Sequence, residues 1–257
     1  MTLFLQASLL IWVLVTLLWI WSVIIKNVSI VDIFWGFGFV AVNAFYVFMS
    51  GEFTDRKILV LILVTVWGLR LAIYLASRNI GKGEDFRYRE FRRSYGEERY
   101  WWVSYFQTFL LQGVLMMIVS LPLLGVSTGN EPGDLNLIDY FGILVWVVGF
   151  SFEAGGDYQL SRFKRDTGNR GKVLNTGFWR YTRHPNYFGD SAVWWAFALF
   201  SIAAGGYWQV VGSVFMTLLI IRVSGVALLE KSLKDTKPQY REYVRKTSSF
   251  FPWFPKK

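Results

Sequence analysis

The chain begins with an apolar stretch from Met1 to Ile25 that contains no charged side chain. A helix of this length can cross the hydrocarbon core of a bilayer, which requires about 20 apolar residues. The stretch is too long, and has too few leading basic residues, for a signal peptide that is removed. Similar stretches recur along the 257 residues, of which 54% are hydrophobic, against about 45–50% in soluble domains. The sequence therefore predicts an all-α, polytopic membrane protein.

Seven stretches have the length and composition of a transmembrane helix. They are Leu3 to Ile25, Ser29 to Phe48, Ile58 to Ala76, Val103 to Leu124, Leu137 to Phe152, Phe188 to Ala204 and Val210 to Leu229. Three segments that follow the third, fifth and seventh stretches hold 22 of the 27 basic residues. Because basic residues mark the cytoplasmic ends of spans, we expect the C-terminus in the cytoplasm and the N-terminus outside.

No internal repeat or linker divides the chain, so a single transmembrane domain is predicted over residues 1–257. We expect a multi-pass protein of a bacterial inner membrane, or of an ER-type membrane in a eukaryotic cell.

Two residue types narrow the chemistry. Cysteine is absent and His184 is the single histidine, so the sequence offers no disulfide framework, no thiolate metal site and no histidine pair. We expect no metal centre, and any reaction to use carboxylates, Tyr, Arg, Lys or a bound cofactor. The net charge of +9 comes mainly from loops that flank the spans, which favours membrane topology over nucleic-acid binding.

A polar and aromatic segment, residues 176–190, leads directly into an apolar helix. Pro185 fits the first turn of that helix, because its missing N–H would have no partner there. Asn186 and Asp190 lie four residues apart and share one helix face. A carboxylate within a span is costly and usually faces a cavity or a bound molecule, which makes both residues candidate site residues. The alternative is that they only cap the helix N-terminus.

Spans two and three each carry a charged side chain. Asp32 lies just inside span two, where it requires a partner or, alternatively, snorkels to the cytoplasmic edge beside Lys26. On span three, Arg70 and Tyr74 share one face with Trp67. The guanidinium requires an anion, which is either a ligand phosphate or a carboxylate in a structural ion pair.

The end of span five combines acidic and basic residues. Glu153 and Asp157 lie four residues apart on one helix face, and Lys164 and Arg165 follow two turns later. The acids suit ribose hydroxyls or an adenine amino group, and the basic residues suit a phosphate. Alternatively, the basic residues only follow the positive-inside rule. The helix is predicted to stop at residues 167–171, which contain two glycines.

Two other polar segments are expected outside the membrane. The loop from Arg78 to Trp102 holds seven basic and five acidic residues and is interpreted as an interfacial segment, most of it a solvated face. Residues 230–255 are interpreted as an amphipathic cytoplasmic helix followed by an aromatic and proline-rich anchor. This segment either covers the site as a lid or lies on the membrane surface.

The run from Asn186 to Asp190, Asn-Tyr-Phe-Gly-Asp, resembles the Asn-Tyr-x-Gly-acid signature of steroid 5α-reductases and of Δ14 and Δ7 sterol reductases. The spacing from Asp157 to Asn186, the pair Gly177-Phe178 and the closing pattern of Tyr240, Tyr243 and Pro252 are similar too. The resemblance covers residues 103–257 well, where it matches the C-terminal domain of the steroid 5α-reductases, and spans one and two weakly.

The resemblance implies a seven-helix membrane reductase that binds NADPH without a Rossmann domain. The cofactor-binding residues that it implies are Arg70, Tyr74, Glu153, Asp157, Lys164, Arg165, Tyr181, Asn186, Tyr187 and Asp190. It places Asp32 and Trp67 at the substrate carbonyl. Trp67 stands where steroid 5α-reductases have a tyrosine that supplies the proton, and an indole N–H cannot deliver a proton at neutral pH.

We therefore expect an NADPH-dependent enzyme of lipid metabolism that reduces a carbon–carbon double bond in a steroid-like or isoprenoid substrate. Hydride would pass from the nicotinamide, near Asn186 and Tyr187, to the β-carbon. Asp32, in its protonated form or through a water that it orders, would polarise the carbonyl. Besides this lipophilic substrate, membrane lipid is the expected partner.

Two other functions remain open. Isoprenylcysteine carboxyl methyltransferases, which use S-adenosylmethionine, carry an Arg-His-Pro turn similar to Arg183-His184-Pro185. A non-catalytic protein that binds lipid or sterol would keep the pocket without a proton donor, as Trp67 permits.

Overall fold

The computed structural model describes residues 2–224 and 238–256. Within these ranges the chain is helical apart from turns, loops and an isolated parallel bridge between Thr182 and Ser248. The predicted all-α membrane fold is therefore confirmed. Five helical segments in the described ranges are long and apolar enough to cross a membrane. The count of seven spans and their orientation stay predictions.

The chain divides into two compact units. Unit 1 holds the described residues up to Leu135 and residues 204–209, and unit 2 holds the remaining described residues. The helices of unit 1 are α1 (Thr2–Ile24), α2 (Ile30–Met49), α3 (Asp55–Asn79), α4 (Phe86–Tyr95), α5 (Glu97–Ser104), α6 (Leu111–Val119) and α7 (Leu121–Thr128). Those of unit 2 are α8 (Leu137–Arg165), α9 (Pro185–Ala203), α10 (Val211–Leu218) and α11 (Pro238–Lys246).

Helices α2 and α3 pack closely in unit 1 because two glycines face each other where the helices cross. A Cβ atom at Gly36 would clash with the carbonyl oxygen of Gly68 and lie 3.1 Å from its carbonyl carbon, so a larger residue would force the backbones apart. Two buried aromatic residues, Phe39 and Trp67, fill the same interface with ring centroids 5.9 Å apart. The glycines thus bring the two backbones together, and the aromatic rings occupy the space beside them.

The fourth apolar segment differs in its bounds from the predicted span, Val103 to Leu124. It runs from Glu97 to Val119 and consists of α5, a π-helical segment over Tyr105–Leu110 and α6. It ends ahead of Pro122, which lies in the first turn of α7 and has no N–H with which to continue the preceding helix. The last residues of the predicted span therefore belong to a separate short helix.

Helix α8 of unit 2 has 29 residues and a capped N-terminus. The side chain of Asn136 accepts the backbone N–H of Asp139, and the carboxylate of Asp139 accepts the N–H of Asn136. The helix ends at Arg165, and Thr167–Asn169 form a 3₁₀ turn. The stop predicted at residues 167–171 is therefore confirmed.

Helix α9 begins at Pro185, as predicted. It is joined to α10 by a hydrogen bond of 2.6 Å from the hydroxyl of Ser213 to the carbonyl of Trp194. A π-helical segment, Leu219–Ser224, continues α10. The predicted seventh span extends to Leu229, so its end lies outside the described residues, as does the predicted start of the C-terminal helix.

Candidate functional site

Three glycines allow α8 and α9 to cross with their backbones in contact. A Cβ atom at Gly149 would lie 2.8 Å from the carbonyl oxygen of Gly189. One at Gly189 would lie 2.8 Å from Cα of Glu153, and one at Gly156 would lie 3.1 Å from the ring of Pro185. A larger side chain would force the helices apart. The glycine of the Asn186–Asp190 run therefore has a packing role at this crossing.

Polar side chains are buried at the same crossing. Glu153 and Asp157 of α8 are only 3% and 5% exposed. Asn186, in the first turn of α9, donates a hydrogen bond from Nδ2 to Asp157 Oδ1 over 3.1 Å. Within the described ranges no group of three or more His, Cys, Asp or Glu could hold a metal ion, so these acids belong to no such group. The structure thus brings together three of the predicted cofactor residues.

Two further predicted residues follow Asn186 on α9. Tyr187 stacks on the ring of His184, with centroids 5.7 Å apart and an angle of 18° between the ring planes. Asp190 is partly buried and lies directly after Gly189. Because the helix begins at Pro185, Asp190 lies past its first turn, where helix capping no longer accounts for an acid.

The predicted phosphate-binding residues lie at the other end of the same helix. Lys164 and Arg165 are exposed in the last turn of α8. Lys164 follows Asp157 by seven residues, which places it about 10 Å further along the helix on the same face. Positive charge is favourable at a helix C-terminus in any case, because it complements the helix dipole. The position of the two residues therefore permits phosphate binding but does not require it.

An open cleft of about 530 Å³ lies on another face of α8. Its polar lining consists of Tyr158, Gln159, Arg162, Asp166, Asn169 and Thr176. The cleft is closed on one side by the loop before α9, where the N–H of Phe178 donates to Gln159 Oε1 over 3.0 Å. Among the described residues, none of the predicted cofactor residues lines it, since Glu153 and Asp157 are buried against α9.

Hydrogen bonds join the described part of the C-terminal segment to the residues that precede α9. Arg183, which is 8% exposed, donates from Nη1 to the carbonyls of Val244 and Thr247 over 3.0 and 2.8 Å. The hydroxyl of Thr182 donates to the carbonyl of Phe250 over 2.8 Å. Arg183 thus binds carbonyls at the C-terminal end of α11, where positive charge is favourable.

Tyr181, another predicted cofactor residue, contacts the same C-terminal segment. Its carbonyl accepts the N–H of Trp253 over 2.9 Å, and its ring meets Phe254 edge-on at 6.1 Å. Close by, the hydroxyl of Tyr243 donates to the carbonyl of Trp179. Burial raises the pKa of Tyr243, so this hydroxyl keeps its proton. The C-terminal segment therefore packs directly on the polar segment that begins α9.

The polar and aromatic stripe predicted on span three is present on α3 in unit 1. The guanidinium of Arg70 lies 5.3 Å from the centroid of the Tyr74 ring, and that of Arg78 lies 6.0 Å from the same centroid. Both contacts are cation–π interactions. Trp67, on the same helix, is fully buried in the α2–α3 interface. The residue that the resemblance places at the substrate therefore contributes to helix packing.

Asp32 of unit 1 has two partners in α4. Arg87 donates from Nη2 to Asp32 Oδ2, and the hydroxyl of Tyr88 donates to Asp32 Oδ1, each over 2.7 Å. Tyr88 is only 5% exposed, so the loop interpreted as a solvated face contains a buried side chain. An acid inside span two indicates that a hydrogen-bond donor lies near it. The sequence alone does not show which of several donors that is.

Further contacts hold α4 at the start of α2. Glu84 accepts the N–H of Val28 and forms an ion pair with Arg92, both over 2.9 Å. The N–H of Asp85 donates to the hydroxyl of Ser29 over 2.6 Å. We call this set of contacts the α4 anchor; its side chains are those of Ser29, Asp32, Glu84, Asp85, Arg87, Tyr88 and Arg92.

The charges of the α4 anchor reinforce one another. Burial and the neighbouring Asp32 raise the pKa of Tyr88 far above its ordinary value of 10.0, so its hydroxyl remains a donor. Burial tends to lower the pKa of Arg87, but Asp32 and Asp85 raise it overall. Burial also tends to raise the pKa of Asp85, yet hydrogen bonds from Arg87 lower it overall below 3.8. Arg87 is therefore a permanent cation between two acids.

Residues 18–247 match a family that is described as protein of unknown function, DUF1295. The uncharacterized protein C594.04c of Schizosaccharomyces pombe is 27% identical over 273 aligned positions, which cover 97% of this chain and 79% of the yeast protein. No solved structure matches the chain. Because the family match spans most of the 257 residues, the chain belongs to the DUF1295 family.

Proposed function

We propose that the protein reduces a carbon–carbon double bond in a steroid-like or isoprenoid molecule, with NADPH as the reductant. The observation that carries the proposal is the part-buried hydrogen bond between Asn186 and the buried Asp157, one turn along α8 from the buried Glu153. Ionisable groups among apolar helices are costly and are usually kept for a function. The run that supplies Asn186 also resembles the signature of steroid 5α-reductases and sterol reductases.

The side chains around the α8–α9 crossing match the chemical groups of NADPH. Glu153 and Asp157 can accept hydrogen bonds from ribose hydroxyls or from the adenine amino group. Lys164 and Arg165 can pair with phosphate oxygens. The amide of Asn186 can pair with the nicotinamide carboxamide. When bound, NADPH supplies the hydride for the β-carbon of the substrate, and these residues supply binding and orientation.

The reduction also requires a proton, which completes the new C–H bond on the α-carbon. The resemblance places Asp32 and Trp67 at the substrate, but an indole has no acidic proton. In unit 1 the hydroxyl of Tyr88 donates to Asp32, and burial beside that acid raises its pKa, so Tyr88 is a weaker acid than a free tyrosine. We therefore assign the proton to a water that Asp32 orders, while Arg87 and Tyr88 hold the carboxylate of Asp32 in place.

The proposal is tested by nucleotide binding to the purified full chain in detergent. NADPH, NADH and S-adenosylmethionine are compared by thermal shift and calorimetry. A ligand at a hundred times its dissociation constant stabilises the folded state by about 2.7 kcal/mol, which is measurable. We expect selective stabilisation by NADPH that Asn186→Ala and Asp190→Ala abolish. Asn175→Ala, at an exposed position of the same unit, is the matched control and should keep the full shift.

Each other outcome selects a different function. Stabilisation by S-adenosylmethionine alone would replace the reductase with a methyltransferase. No stabilisation by any of the three nucleotides would reject the cofactor site and favour a non-catalytic lipid-binding protein. An NADPH shift that survives in both α9 variants would keep the reductase but place its cofactor away from Asn186.

A further inference from the structure

Unit 1 contains a groove of about 510 Å³ that the proposed reaction does not use. It runs along α5 and the π-helical segment, and its lining residues are Tyr95, Arg99, Trp102, Val103, Phe106 and Gln107. The lining thus combines one cation, one amide and an apolar, mainly aromatic wall. The groove lies on a segment that is long and apolar enough to cross a membrane.

The groove faces away from α1. On the opposite side of the segment, the carbonyl of Trp101 accepts the indole N–H of Trp19 over 2.7 Å. The hydroxyl of Tyr105 accepts the indole N–H of Trp12 over 2.9 Å. These bonds hold one face of the segment on α1 and leave the groove face outward. Phe106 on that outer face is 59% exposed.

The turn between α4 and α5 brings Tyr95 to the end of the groove near the N-terminus of α5. This turn requires Gly96, whose φ of 86° and ψ of 138° are disfavoured for residues with a side chain. Arg99 lies exposed in the first turns of α5. The neighbouring acids, Glu97 and Glu98, are exposed and do not line the groove. Among the described lining residues, the charge is therefore positive and lies at Arg99, near the N-terminus of α5.

The other end of the groove, in the π-helical segment, contains the side-chain amide of Gln107. Gln107 Oε1 is buried, and no donor among the described residues reaches it. Gln107 follows Arg99 by eight residues, which corresponds to about 12 Å along a helix. It lies in the π-helical segment, an uncommon element that is frequent at functional sites. Since Oε1 is buried, the N–H₂ is the group of this amide that a ligand in the groove can meet.

We propose that this groove binds an anionic phospholipid. The phosphate pairs with Arg99, as a guanidinium favours, and the acyl chains lie on Trp102, Val103 and Phe106. The amide of Gln107 meets the ester region, where its N–H₂ donates to a carbonyl oxygen. Aromatic residues at the end of an apolar segment are typical of the membrane interface, where phospholipid head groups lie. A phospholipid matches all three features of the groove at once.

The test uses the absence of cysteine from the chain, which allows a single thiol to be introduced and labelled. Leu111 is 49% exposed and lies one turn beyond Gln107. In the variant Leu111→Cys, the new thiol is labelled with a fluorophore. The labelled full chain is placed in phosphatidylcholine vesicles with increasing brominated phosphatidylglycerol or brominated phosphatidylcholine, whose bromines quench the fluorophore. Ile73→Cys, 68% exposed on α3, reports on ordinary lipid contact as the control.

We expect phosphatidylglycerol to quench the Leu111→Cys label with about fivefold higher affinity than phosphatidylcholine, which corresponds to about 1 kcal/mol for one basic residue. The two lipids should quench the Ile73→Cys label equally. Arg99→Gln should abolish the preference, whereas Arg93→Gln, an exposed arginine of α4 outside the groove, should keep it.

Equal quenching by both lipids at Leu111→Cys would overturn the proposal. A preference that persists in Arg99→Gln would overturn it as well, because the charge would then lie elsewhere. Stabilisation by NADPH is measured on the same Arg99→Gln protein and should be unchanged. A failure of lipid selectivity is thereby distinguishable from a failure of the proposed reductase function.

Discussion

The hydroxyl of Tyr88 lies 2.7 Å from Asp32 Oδ1, although the two residues are 56 positions apart in the chain. Arg87 donates a hydrogen bond to the other carboxylate oxygen of Asp32. We expect Asp32→Asn to loosen α4, because hydrogen bonds to charged groups contribute about 1.5–3 kcal/mol. Hydrogen–deuterium exchange of the amides of residues 86–95 should rise about tenfold or more, since 1.4 kcal/mol corresponds to a factor of ten.

The matched control for this variant is Asp55→Asn, the same substitution at an exposed acid in the first turn of α3. It should leave exchange in residues 86–95 unchanged. Tyr88→Phe keeps the ion pair between Arg87 and Asp32 and should give a smaller rise. Turnover of a competent substrate in Asp32→Asn at the wild-type rate would reject the role of Asp32 in the proposed reaction.

The α4 anchor should weaken in acid through Asp85. Hydrogen bonds from Arg87 lower the pKa of Asp85 in the folded protein, so its contribution is complete above its unfolded value of about 3.9. The contribution is lost as the pH falls from there through the folded pKa. Protection of the α4 amides, corrected for intrinsic exchange, should therefore decrease below about pH 4. Asp85→Asn should show a smaller decrease over the same range, and an identical pH profile would contradict the role of Asp85.

The α8–α9 crossing should not tolerate a methyl group at Gly189. A Cβ atom there would lie 2.8 Å from Cα of Glu153, and the backbone cannot move without separating the helices. We expect Gly189→Ala to lower the free energy of unfolding by about 1–3 kcal/mol, as overpacking does, measured by thermal or chemical unfolding in detergent. In the control Gly168→Ala, the new Cβ approaches only the side chain of Asp166, at 3.2 Å, so stability should change little. Equal effects in both variants would refute the close crossing.

Exchanging the two hydrogen-bonded residues, Asp157 and Asn186, separates their effect on stability from their effect on ligand binding. Asn186→Asp alone places two carboxylates in contact and should destabilise unit 2 by about 1–3 kcal/mol. The double variant Asp157→Asn with Asn186→Asp restores an amide–carboxylate pair and should recover most of that loss. Stabilisation by NADPH should not recover, because both groups have changed places relative to the cofactor. Full recovery of NADPH binding would mean that the pair has only a structural role.

Arg183 should control the attachment of the C-terminal segment. Its guanidinium donates to the carbonyls of Val244 and Thr247, and each such bond contributes about 1.5–3 kcal/mol. We expect Arg183→Gln to raise hydrogen–deuterium exchange in residues 240–250 about tenfold or more. Arg180→Gln, at an exposed position of the same polar segment, serves as the control. Unchanged exchange in Arg183→Gln would show that other contacts suffice.

The helix ends that depend on local chemistry could be predicted from the sequence. Pro185 begins α9 and the glycine-containing turn follows α8, because both effects act within one turn of the backbone. The break in the fourth apolar segment was not predicted, since the apolar residues continue past Pro122 and hydropathy does not register a missing N–H. Composition therefore identified apolar segments better than it identified their limits.

The candidate site was predicted only in part, because its contacts depend on residues far apart in the chain. The acids of α8 and the amide of α9 were identified by their cost in an apolar environment, and the bond between Asp157 and Asn186 agrees with that argument. The donors to Asp32 were not identified, since four arginines and two tyrosines of residues 86–95 are equivalent by composition. Only the orientation of α4 distinguishes Arg87 and Tyr88 from the others.

The attachment of the C-terminal segment also determines when the protein can finish folding. Arg183 precedes Thr247, whose carbonyl it binds, by 64 residues. Ribosomes add about 5–20 residues per second, so about 3 to 13 seconds pass between the synthesis of the two residues. During that time the polar segment before α9 has been made but its partners in the C-terminal segment have not. Helix α9 is therefore made before the residues that hold the polar segment at its start.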